Sequence, residues 1–197
     1  MKSQSLLLAS SSPYRKELLQ RLGLPFISAS PDIDESTQPD ETAEELAVRL
    51  AEQKARALTS DYPGHWIIGS DQVACLPDGS ILNKPGNHEE AVRQLTRCSG
   101  QRVTFLTGLA LTDTDTGATL THCERFQVQF RHLETAEIEH YLHREQPYDC
   151  AGSFKMEGLG IALFESLEGR DPNSLVGLPL IALTDMLRAW GLNPLLL

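Results

Sequence analysis

The sequence predicts an α/β protein in which a mixed, twisted central sheet is covered by helices. In the first half of the chain, short buried strands alternate with amphipathic helices, a pattern typical of α/β sheets. In the second half, the apolar runs VTFLTGLALT and THCERFQVQF flank the turn sequence DTDTG and indicate an antiparallel hairpin of two long strands. The chain of 197 residues is long enough to bury a core, so we expect one domain over residues 1–197, with two lobes sharing that core.

The N-terminal segment predicts a strand, a hydroxyl-rich turn and a helix. The strand is the apolar run Leu6–Ala9, and the helix begins near Pro13, a residue favoured at the first helical position. Gly23 ends the helix, since glycine accepts the left-handed backbone of a helix end. The turn directs backbone N–H groups and the positive end of the helix dipole to one point, beside Arg15 and Lys16. This arrangement predicts an anion site; an ordinary capped helix is the alternative.

The middle of the chain predicts an acidic loop, a long helix and a buried strand. The short strand PFISA leads into a loop that contains Glu35. Thr42 and Glu45 form a capping-box pattern that begins a helix reaching to Tyr62–Pro63. The segment HWIIGSDQVACL indicates a buried strand interrupted at its GSDQ sequence, with Asp71 near the carboxyl end of the strand.

Three further helices complete the prediction. They lie in the segment NKPGNHEEAVRQLTRCSG, from Thr135 to about Arg144, and from Pro179 to about Trp190. Between the last two helices, a glycine-rich segment containing AGSFKMEG and NSLVGLPL places polar residues near strand ends.

Composition excludes several classes of function. The net charge of −10 argues against broad binding to nucleic acid or to an anionic membrane. A phosphorylated small molecule remains compatible, because salt screens charges beyond roughly 8 Å and only nearby cations matter. No apolar run is long enough for a signal peptide or a membrane span. The cysteines form no CxxC pair, so we expect reduced thiols in a cytoplasmic protein; they are Cys75, Cys98, Cys123 and Cys150.

Position alone makes four side chains candidates for chemistry. Asp71 at a strand end can activate water or hold a metal, although a turn aspartate that caps amides is the alternative. Lys84, on a loop stiffened by Pro85, and Lys54, on the long helix, are either phosphate ligands or solvated lysines. Glu35 is either a metal ligand or part of a solvated acidic loop. The six histidines show no metal-binding spacing, and neither a Walker A nor a GxGxxG pattern is present.

The order of the short blocks along the chain is more specific than any one of them. LASSSPYRKELL, DE, QKA, GSDQV, KP, AGSFKMEG and NSLVGLPL resemble the Maf family of nucleotide pyrophosphatases over about Leu6 to Leu187. The resemblance implies a cytoplasmic hydrolase that splits a nucleoside triphosphate into a monophosphate and pyrophosphate with a divalent metal cation (Mg, Mn or Co). It also implies an inosine-triphosphatase-like fold with the active-site cleft between two lobes, and a homodimer.

The resemblance further implies roles for individual residues. Asp71 is expected to be the general base, assisted by Arg15 and Lys84, and Glu35 is expected to hold the metal together with Asp71. The implied phosphate ligands are Ser10, Ser12, Arg15, Lys54 and Lys84. These residue types suit a triphosphate, because its charge must be neutralised where it develops and Mg²⁺ and Mn²⁺ prefer oxygen ligands.

Three positions favour a particular base. Tyr14, Gln72 and Glu157 resemble the subgroup that hydrolyses 7-methyl-GTP to 7-methyl-GMP and pyrophosphate. Guanine presents two adjacent N–H donors that match a carboxylate, and methylation at N7 gives a cationic base that an aromatic ring favours. The alternatives are a pyrophosphatase for pyrimidine (dTTP or UTP) or other modified nucleotides, and a non-catalytic nucleotide-binding regulator of cell division. The family's usual glycine before the KP pair is Asn83 here, a departure in the loop that carries Lys84.

Overall fold

The computed structural model describes residues 5–196, which form five α-helices, four short 3₁₀ helices and one seven-stranded sheet. The strands are Ser5–Ala9 (β1), Phe26–Ala29 (β2), His65–Cys75 (β3), Ile81–Leu82 (β4), Arg102–Asp113 (β5), Thr119–Phe130 (β6) and Phe164–Gly169 (β7). The α-helices are Pro13–Gln20 (α1), Ala43–Arg56 (α2), His88–Cys98 (α3), Thr135–Glu145 (α4) and Leu180–Ala189 (α5). The 3₁₀ helices are Ala151–Ser153, Leu159–Leu163, Pro172–Val176 and Pro194–Leu196.

The sheet is mixed, as the sequence predicts. Its strand order is β2-β1-β3-β5-β6-β7, and β4 pairs with β3 beside this path. β1 runs parallel to β2 and β3, whereas the remaining pairs are antiparallel. The predicted hairpin of two long strands is confirmed as β5 and β6, which pair along nearly their full length. No helix among residues 5–196 has the length and apolar character that a membrane span requires.

Local capping signals place the helices as predicted. The Ser12 hydroxyl accepts a hydrogen bond from the backbone N–H of Arg15 at the start of α1, and Gly23 adopts a positive φ of 67° after its end. Thr42 and Glu45 form the expected capping box at the start of α2. Helices α4 and α5 match their predicted bounds to within one residue.

Helix α2 is shorter than predicted. It ends at Arg56, and turns lead from there to Tyr62–Pro63. Leu58 continues the apolar spacing of the helix but is buried from a turn. The spacing therefore indicated the buried face correctly and the end of the helix wrongly.

The predicted interruption of β3 is wrong. β3 is continuous, and Asp71 lies inside it, two positions beyond Gly69, the last residue that pairs with β1. Gly69 serves helix packing rather than a turn, since a Cβ there would collide with the backbone carbonyl oxygen of Ala51 in α2. Gly108 in β5 has the same relation to Ala47. Asp71 nevertheless follows the carboxyl end of the parallel part of the sheet, where ligands bind in α/β folds.

The apolar side chains form two lobes on the long strands β3, β5 and β6. At one end, α1 and α5 pack on the sheet around Leu6, Ile68 and Leu109. At the other end, α3 and α4 pack around Phe105 and Phe130. Helix α2 covers the opposite face of β3 and β5 along both lobes. The strands are therefore shared, and the lobes leave a cleft at the middle of β3.

Candidate active site

The ten residues predicted for the site line one cavity of about 650 Å³ between the two lobes. Small-molecule sites commonly have volumes of roughly 300–1,000 Å³. The residues are Ser10, Ser12, Tyr14, Arg15, Glu35, Lys54, Asp71, Gln72, Lys84 and Glu157. They come from six separate parts of the sequence, so the fold brings them together, while their roles stay predictions.

Lys54 joins two carboxylates in the cavity. Its Nζ donates to Asp71 Oδ1 at 2.6 Å and forms an ion pair with Glu35 Oε1 at 2.7 Å. The side chains of Lys54 and Asp71 are 9% and 12% exposed, whereas that of Glu35 is 55% exposed. The first pair is therefore buried, and Glu35 closes the cluster from the solvent side.

Strand alternation and close helix packing explain this contact. Successive side chains of a strand point to opposite faces, so Asp71 lies on the face covered by α2 while Ser70 and Gln72 lie on the other. Because Gly69 leaves no side chain between the sheet and the helix, α2 approaches closely enough for Lys54 in its last turn to reach Asp71.

Helix α2 also holds the loop that carries Glu35. The Arg49 guanidinium makes two hydrogen bonds to the Glu41 carboxylate, at 2.5 and 2.8 Å, and donates to the Ser36 carbonyl oxygen at 3.0 Å. Burial raises the pKa of Glu35, but the hydrogen bond and charge of Lys54, with further charge from Lys84 and Arg15, bring that pKa below its ordinary value. Glu35 is thus an ionised carboxylate facing several cations.

The serine turn before α1 is folded by its own hydroxyl groups. Ser10 Oγ accepts from the Ser12 N–H at 3.1 Å, and Ser12 Oγ accepts from the Arg15 N–H at 3.4 Å. Each hydroxyl uses an acceptor lone pair in these bonds and keeps its O–H as a donor. The turn therefore presents hydroxyl donors at the positive end of α1, which suits an anion.

Arg15 is fixed at the cavity wall by the backbone. Its Nε donates to the Gly177 carbonyl oxygen at 2.8 Å, and the φ of Gly177 is 110°, in the range that favours glycine. Burial lowers the pKa of Arg15 below its ordinary value, against the opposing charges of Asp71 and Glu35. Arginine keeps its charge in proteins, so a fixed cation faces the two carboxylates.

Gln72 has a structural contact that sequence reasoning missed. Its Nε2 donates to the carbonyl oxygens of Ser174, at 2.6 Å, and Leu175, at 3.2 Å. The Thr107 hydroxyl donates to the same Ser174 oxygen at 3.0 Å. Gln72 therefore anchors the 3₁₀ helix that forms one wall of the cavity. Its predicted contact with the base would have to use Oε1, the carbonyl oxygen of its amide.

Lys155 is a cavity residue that the sequence analysis did not select. Burial lowers its pKa, but a hydrogen bond with Tyr14 and the nearby Cys150 and Asp149 raise that pKa above the ordinary value. Its ammonium also donates to the Glu145 carbonyl oxygen at 3.3 Å. Lys155 stands two positions before Glu157 in the block AGSFKMEG, and that position was the signal that could have revealed it.

Thiol chemistry does not fit this cavity. Cys150 is among its lining residues, but burial raises the pKa of this thiol to about 12. A cysteine nucleophile needs a lowered pKa, because the thiolate is the reactive form. Cys150 is therefore a neutral side chain of the wall.

The cavity is much less acidic than the chain. It is lined by four cations and four carboxylates, although the net charge of the protein is −10. The cations are Arg15, Lys54, Lys84 and Lys155; the carboxylates are Glu35, Asp71, Asp149 and Glu157. Because Asp71 and Glu35 converge on one cationic centre and offer oxygen donors, they fit a magnesium or manganese ion.

The chain is similar to known proteins in sequence over nearly its full length. The family model described as "Maf-like protein" matches residues 5–190. A 7-methyl-GTP pyrophosphatase of Pseudomonas syringae pv. tomato is 61% identical over 189 residues, covering 96% of this chain and 98% of that protein. A protein of the same name from Alcanivorax borkumensis is 57% identical, covering 96% and 95%. The structure of the Staphylococcus aureus Ham1 protein matches with a TM-score of 0.44 at 15% identity, covering 64% of this chain and 71% of that one.

Proposed function

Because this chain belongs to the Maf family over most of its length, we propose that it hydrolyses 7-methyl-GTP to 7-methyl-GMP and pyrophosphate. The observation that carries the proposal is the contact of Lys54 with both Asp71 and Glu35 inside a cavity bordered by further cations. This arrangement combines a carboxylate base with the positive charge that a polyphosphate requires.

Asp71 is the general base in the proposed reaction. Its carboxylate accepts a proton from water as the water oxygen attacks the α-phosphorus, and the bond from that phosphorus to the bridging oxygen breaks. The bridging oxygen keeps the electron pair and leaves as part of pyrophosphate. Asp71 must first lose its contact with Lys54, and a bound polyphosphate achieves this by offering the ammonium other oxygen atoms.

The phosphate groups are bound by the two ends of the cavity. Ser10 and Ser12 donate hydroxyl protons from the turn before α1, and Arg15 adds a planar guanidinium fixed by Gly177. From the other lobe, Lys84 supplies a point charge on the loop between β4 and α3. Binding from both sides places the triphosphate across the cleft.

The donor set also supports a divalent cation, Mg²⁺, Mn²⁺ or Co²⁺, held by Glu35 and Asp71. When bound, such an ion supplies positive charge to phosphate oxygens. The other contributions come from the chain: Arg49 holds the Glu35 loop against α2, and Gly69 lets α2 bring Lys54 to the carboxylates.

We assign selectivity for the methylated base to Glu157, in the lobe opposite the serine turn, and to Tyr14. The Glu157 carboxylate supplies two acceptors for the adjacent N–H donors of guanine. The Tyr14 ring favours a cationic base through its face by about 0.5–2 kcal/mol.

A panel of nucleotides tests the function directly. Purified protein is incubated with 7-methyl-GTP, GTP, dTTP, UTP and CTP at equal concentration, with Mg²⁺, Mn²⁺, Co²⁺ or a chelator, and pyrophosphate is measured. We expect 7-methyl-GTP to be hydrolysed fastest and the chelator to abolish release. A lead by dTTP or UTP would favour a pyrimidine pyrophosphatase, and nucleotide binding without pyrophosphate release would favour a regulator.

Glu157→Gln tests the recognition of the base separately from the chemistry. The amide replaces one acceptor by a donor, so kcat/KM should fall more for 7-methyl-GTP than for a pyrimidine triphosphate. Glu89→Gln is the matched control, because Glu89 is exposed on α3 and bonded to Arg93. Equal losses on both substrates would remove Glu157 from base recognition without affecting the role of Asp71.

Family membership supports three further proposals: residues 1–197 form one catalytic domain, the chain works in the cytoplasm, and it forms a homodimer. Light scattering coupled to size exclusion would measure the mass of the assembly. A mass of one chain at working concentrations would contradict the dimer.

A further inference from the structure

A cluster of potential metal ligands lies outside the cavity. Among residues 5–196, the side chains of His88, Glu139 and His143 place one ligand atom each within 4.8 Å of one another. His88 is the first residue of α3, whereas Glu139 and His143 lie one turn apart on α4. The spacing of these residues along the chain does not indicate the cluster, because its histidines belong to different helices.

The distances in the cluster are close to those of a metal site. His88 Nε2 lies 2.8 Å from Glu139 Oε2, and His143 Nε2 lies 3.7 Å from the same oxygen. Ligand atoms about 2.0–2.1 Å from a tetrahedral zinc ion are about 3.3 Å apart. The imidazole rings of His88 and His143 are stacked with their centroids 4.8 Å apart, so a small rotation of the rings would bring their nitrogen atoms to the spacing that zinc requires. The His143 side chain is 72% exposed and free of the core, so it can make that movement.

Tyr148 supplies the contact that orients a metal-binding histidine. Its hydroxyl lies 2.9 Å from His88 Nδ1 and 3.5 Å from the Leu142 carbonyl oxygen. If the hydroxyl proton points to Leu142, the oxygen accepts the Nδ1 proton and leaves the Nε2 lone pair facing Glu139. Histidines that bind metals usually donate their second N–H in this way.

We propose that His88, Glu139 and His143 form a second cation site, for a borderline transition-metal ion such as Zn²⁺, with Tyr148 as a positioning residue. The donor set is two imidazole nitrogens and one carboxylate, which suits Zn²⁺ and not Mg²⁺. The site is therefore chemically distinct from the oxygen donors of Asp71 and Glu35.

The position of the cluster links it to the loops of the cavity. Gly86, in the loop that carries Lys84, donates its N–H to the Tyr148 carbonyl oxygen at 2.9 Å. His88 continues from that loop into α3, and Asp149 of the cavity wall follows Tyr148 directly. An ion between α3 and α4 would hold the loop that carries Lys84 and the segment that carries Asp149 at the points where they join the helices. Binding should therefore also raise the melting temperature.

Zinc titration of the full chain in excess Mg²⁺ tests the site, since Mg²⁺ occupies the oxygen donors of the cavity. We expect one equivalent of Zn²⁺ to bind with micromolar or tighter affinity and to raise Tm. His143→Ala should weaken binding at least tenfold, and Tyr148→Phe should weaken it roughly tenfold by freeing the His88 ring. His140→Ala, an exposed histidine of the same helix, is the matched control and should bind as the wild type.

Cobalt absorption spectra identify the ligands. Co²⁺ bound by nitrogen and oxygen should give d–d bands without a sulfur-to-metal charge-transfer band, and these bands should be lost in His143→Ala but kept in Asp71→Asn. No uptake of Zn²⁺, equal affinity of His143→Ala and the wild type, or a sulfur band would each overturn the proposal. A result of this kind would leave the proposed pyrophosphatase activity unaffected, because the titration measures no turnover.

Discussion

Replacing Lys54 by methionine tests how the active site is held together. Methionine keeps most of the apolar stem of lysine but removes the ammonium that contacts Asp71 and Glu35. Glu35 is more than half exposed and regains water in the variant. Asp71 loses its 2.6 Å partner while only 12% of its side chain is exposed. Asp71 therefore determines the cost of the substitution.

The size of the effect follows from these exposures. Removing one partner of a buried ion pair costs about 3–5 kcal/mol, whereas an exposed pair contributes about 0–1 kcal/mol. We expect Lys54→Met to lower the free energy of unfolding by about 3 kcal/mol, at the low end because the cavity admits water to Asp71. Asp71→Asn keeps an oxygen that accepts from Lys54, so it should cost only about 1–2 kcal/mol. The double variant lacks the orphaned carboxylate and should be more stable than Lys54→Met alone.

Urea unfolding at fixed pH and salt measures these differences. The fluorescence of Trp66 and Trp190, whose rings are 5.1 Å apart in an edge contact in the lobe of α1 and α5, reports the loss of packing. A Lys54→Met variant within 1 kcal/mol of the wild type would refute the reasoning, as would a double variant no more stable than Lys54→Met. Asp71→Asn should retain its fold but release no pyrophosphate from 7-methyl-GTP, and turnover at the wild-type rate would show that Asp71 is not the base.

Substitutions at three further positions give separate predictions. Gly69→Ala places a methyl group against the carbonyl oxygen of Ala51, so overpacking should cost about 1–3 kcal/mol in urea unfolding and activity should fall; unchanged stability would show that α2 is not held this closely. The hydrogen bonds from Arg49 lower the pKa of Glu41 from 4.5 to about 2, so this carboxylate stabilises the fold above its unfolded pKa and loses that effect as the pH falls from about 4.5 towards 2. Glu41→Gln should therefore be less stable than the wild type near neutral pH, with a difference that disappears near pH 2, which urea unfolding across a pH series can check. Tyr14→Phe should keep the ratio of kcat/KM for 7-methyl-GTP over GTP, whereas Tyr14→Leu should reduce it about two- to thirtyfold; equal ratios would exclude ring stacking.

Local sequence signals predicted most of the fold. These signals act within a few residues of the chain: the capping box at Thr42, the proline at the start of α1 and the turn DTDTG. The sequence alone therefore identified the helices and strands that begin or end at them. Local patterns indicated an anion site at the serine turn and single candidate residues, but only the order of motifs resembling the Maf family joined these residues into one predicted site. Lys54, for example, is an ordinary helical lysine until the fold places it beside Asp71.

The failures share one physical cause, which is that the deciding contact lies far away in the sequence. Gly69 resembled a turn glycine because the carbonyl oxygen that excludes a side chain there belongs to α2. The hydrogen bonds of Gln72 to Ser174 and Leu175 were missed because they span about a hundred residues, while its contact with the base stays a prediction. His88 had no apparent partner along the chain, because Glu139 and His143, which lie beside it in the fold, belong to another helix. Each of these residues needed a tertiary contact to be interpreted.

The contact of Lys54 with two carboxylates also explains how an acidic protein can receive a polyanion. Without a cation between them, Asp71 and Glu35 would repel each other and any phosphate that entered. Lys54 neutralises them in the free protein. In the proposed reaction it turns to phosphate oxygens when a divalent ion takes its place between the carboxylates. The carboxylates then keep a cationic partner and Lys54 keeps an anionic one, so no ion pair is lost in the exchange. The metal replaces the ammonium of Lys54 at the two carboxylates, and the nucleotide offers that ammonium new oxygen partners. Metal and nucleotide should therefore bind more tightly together than separately.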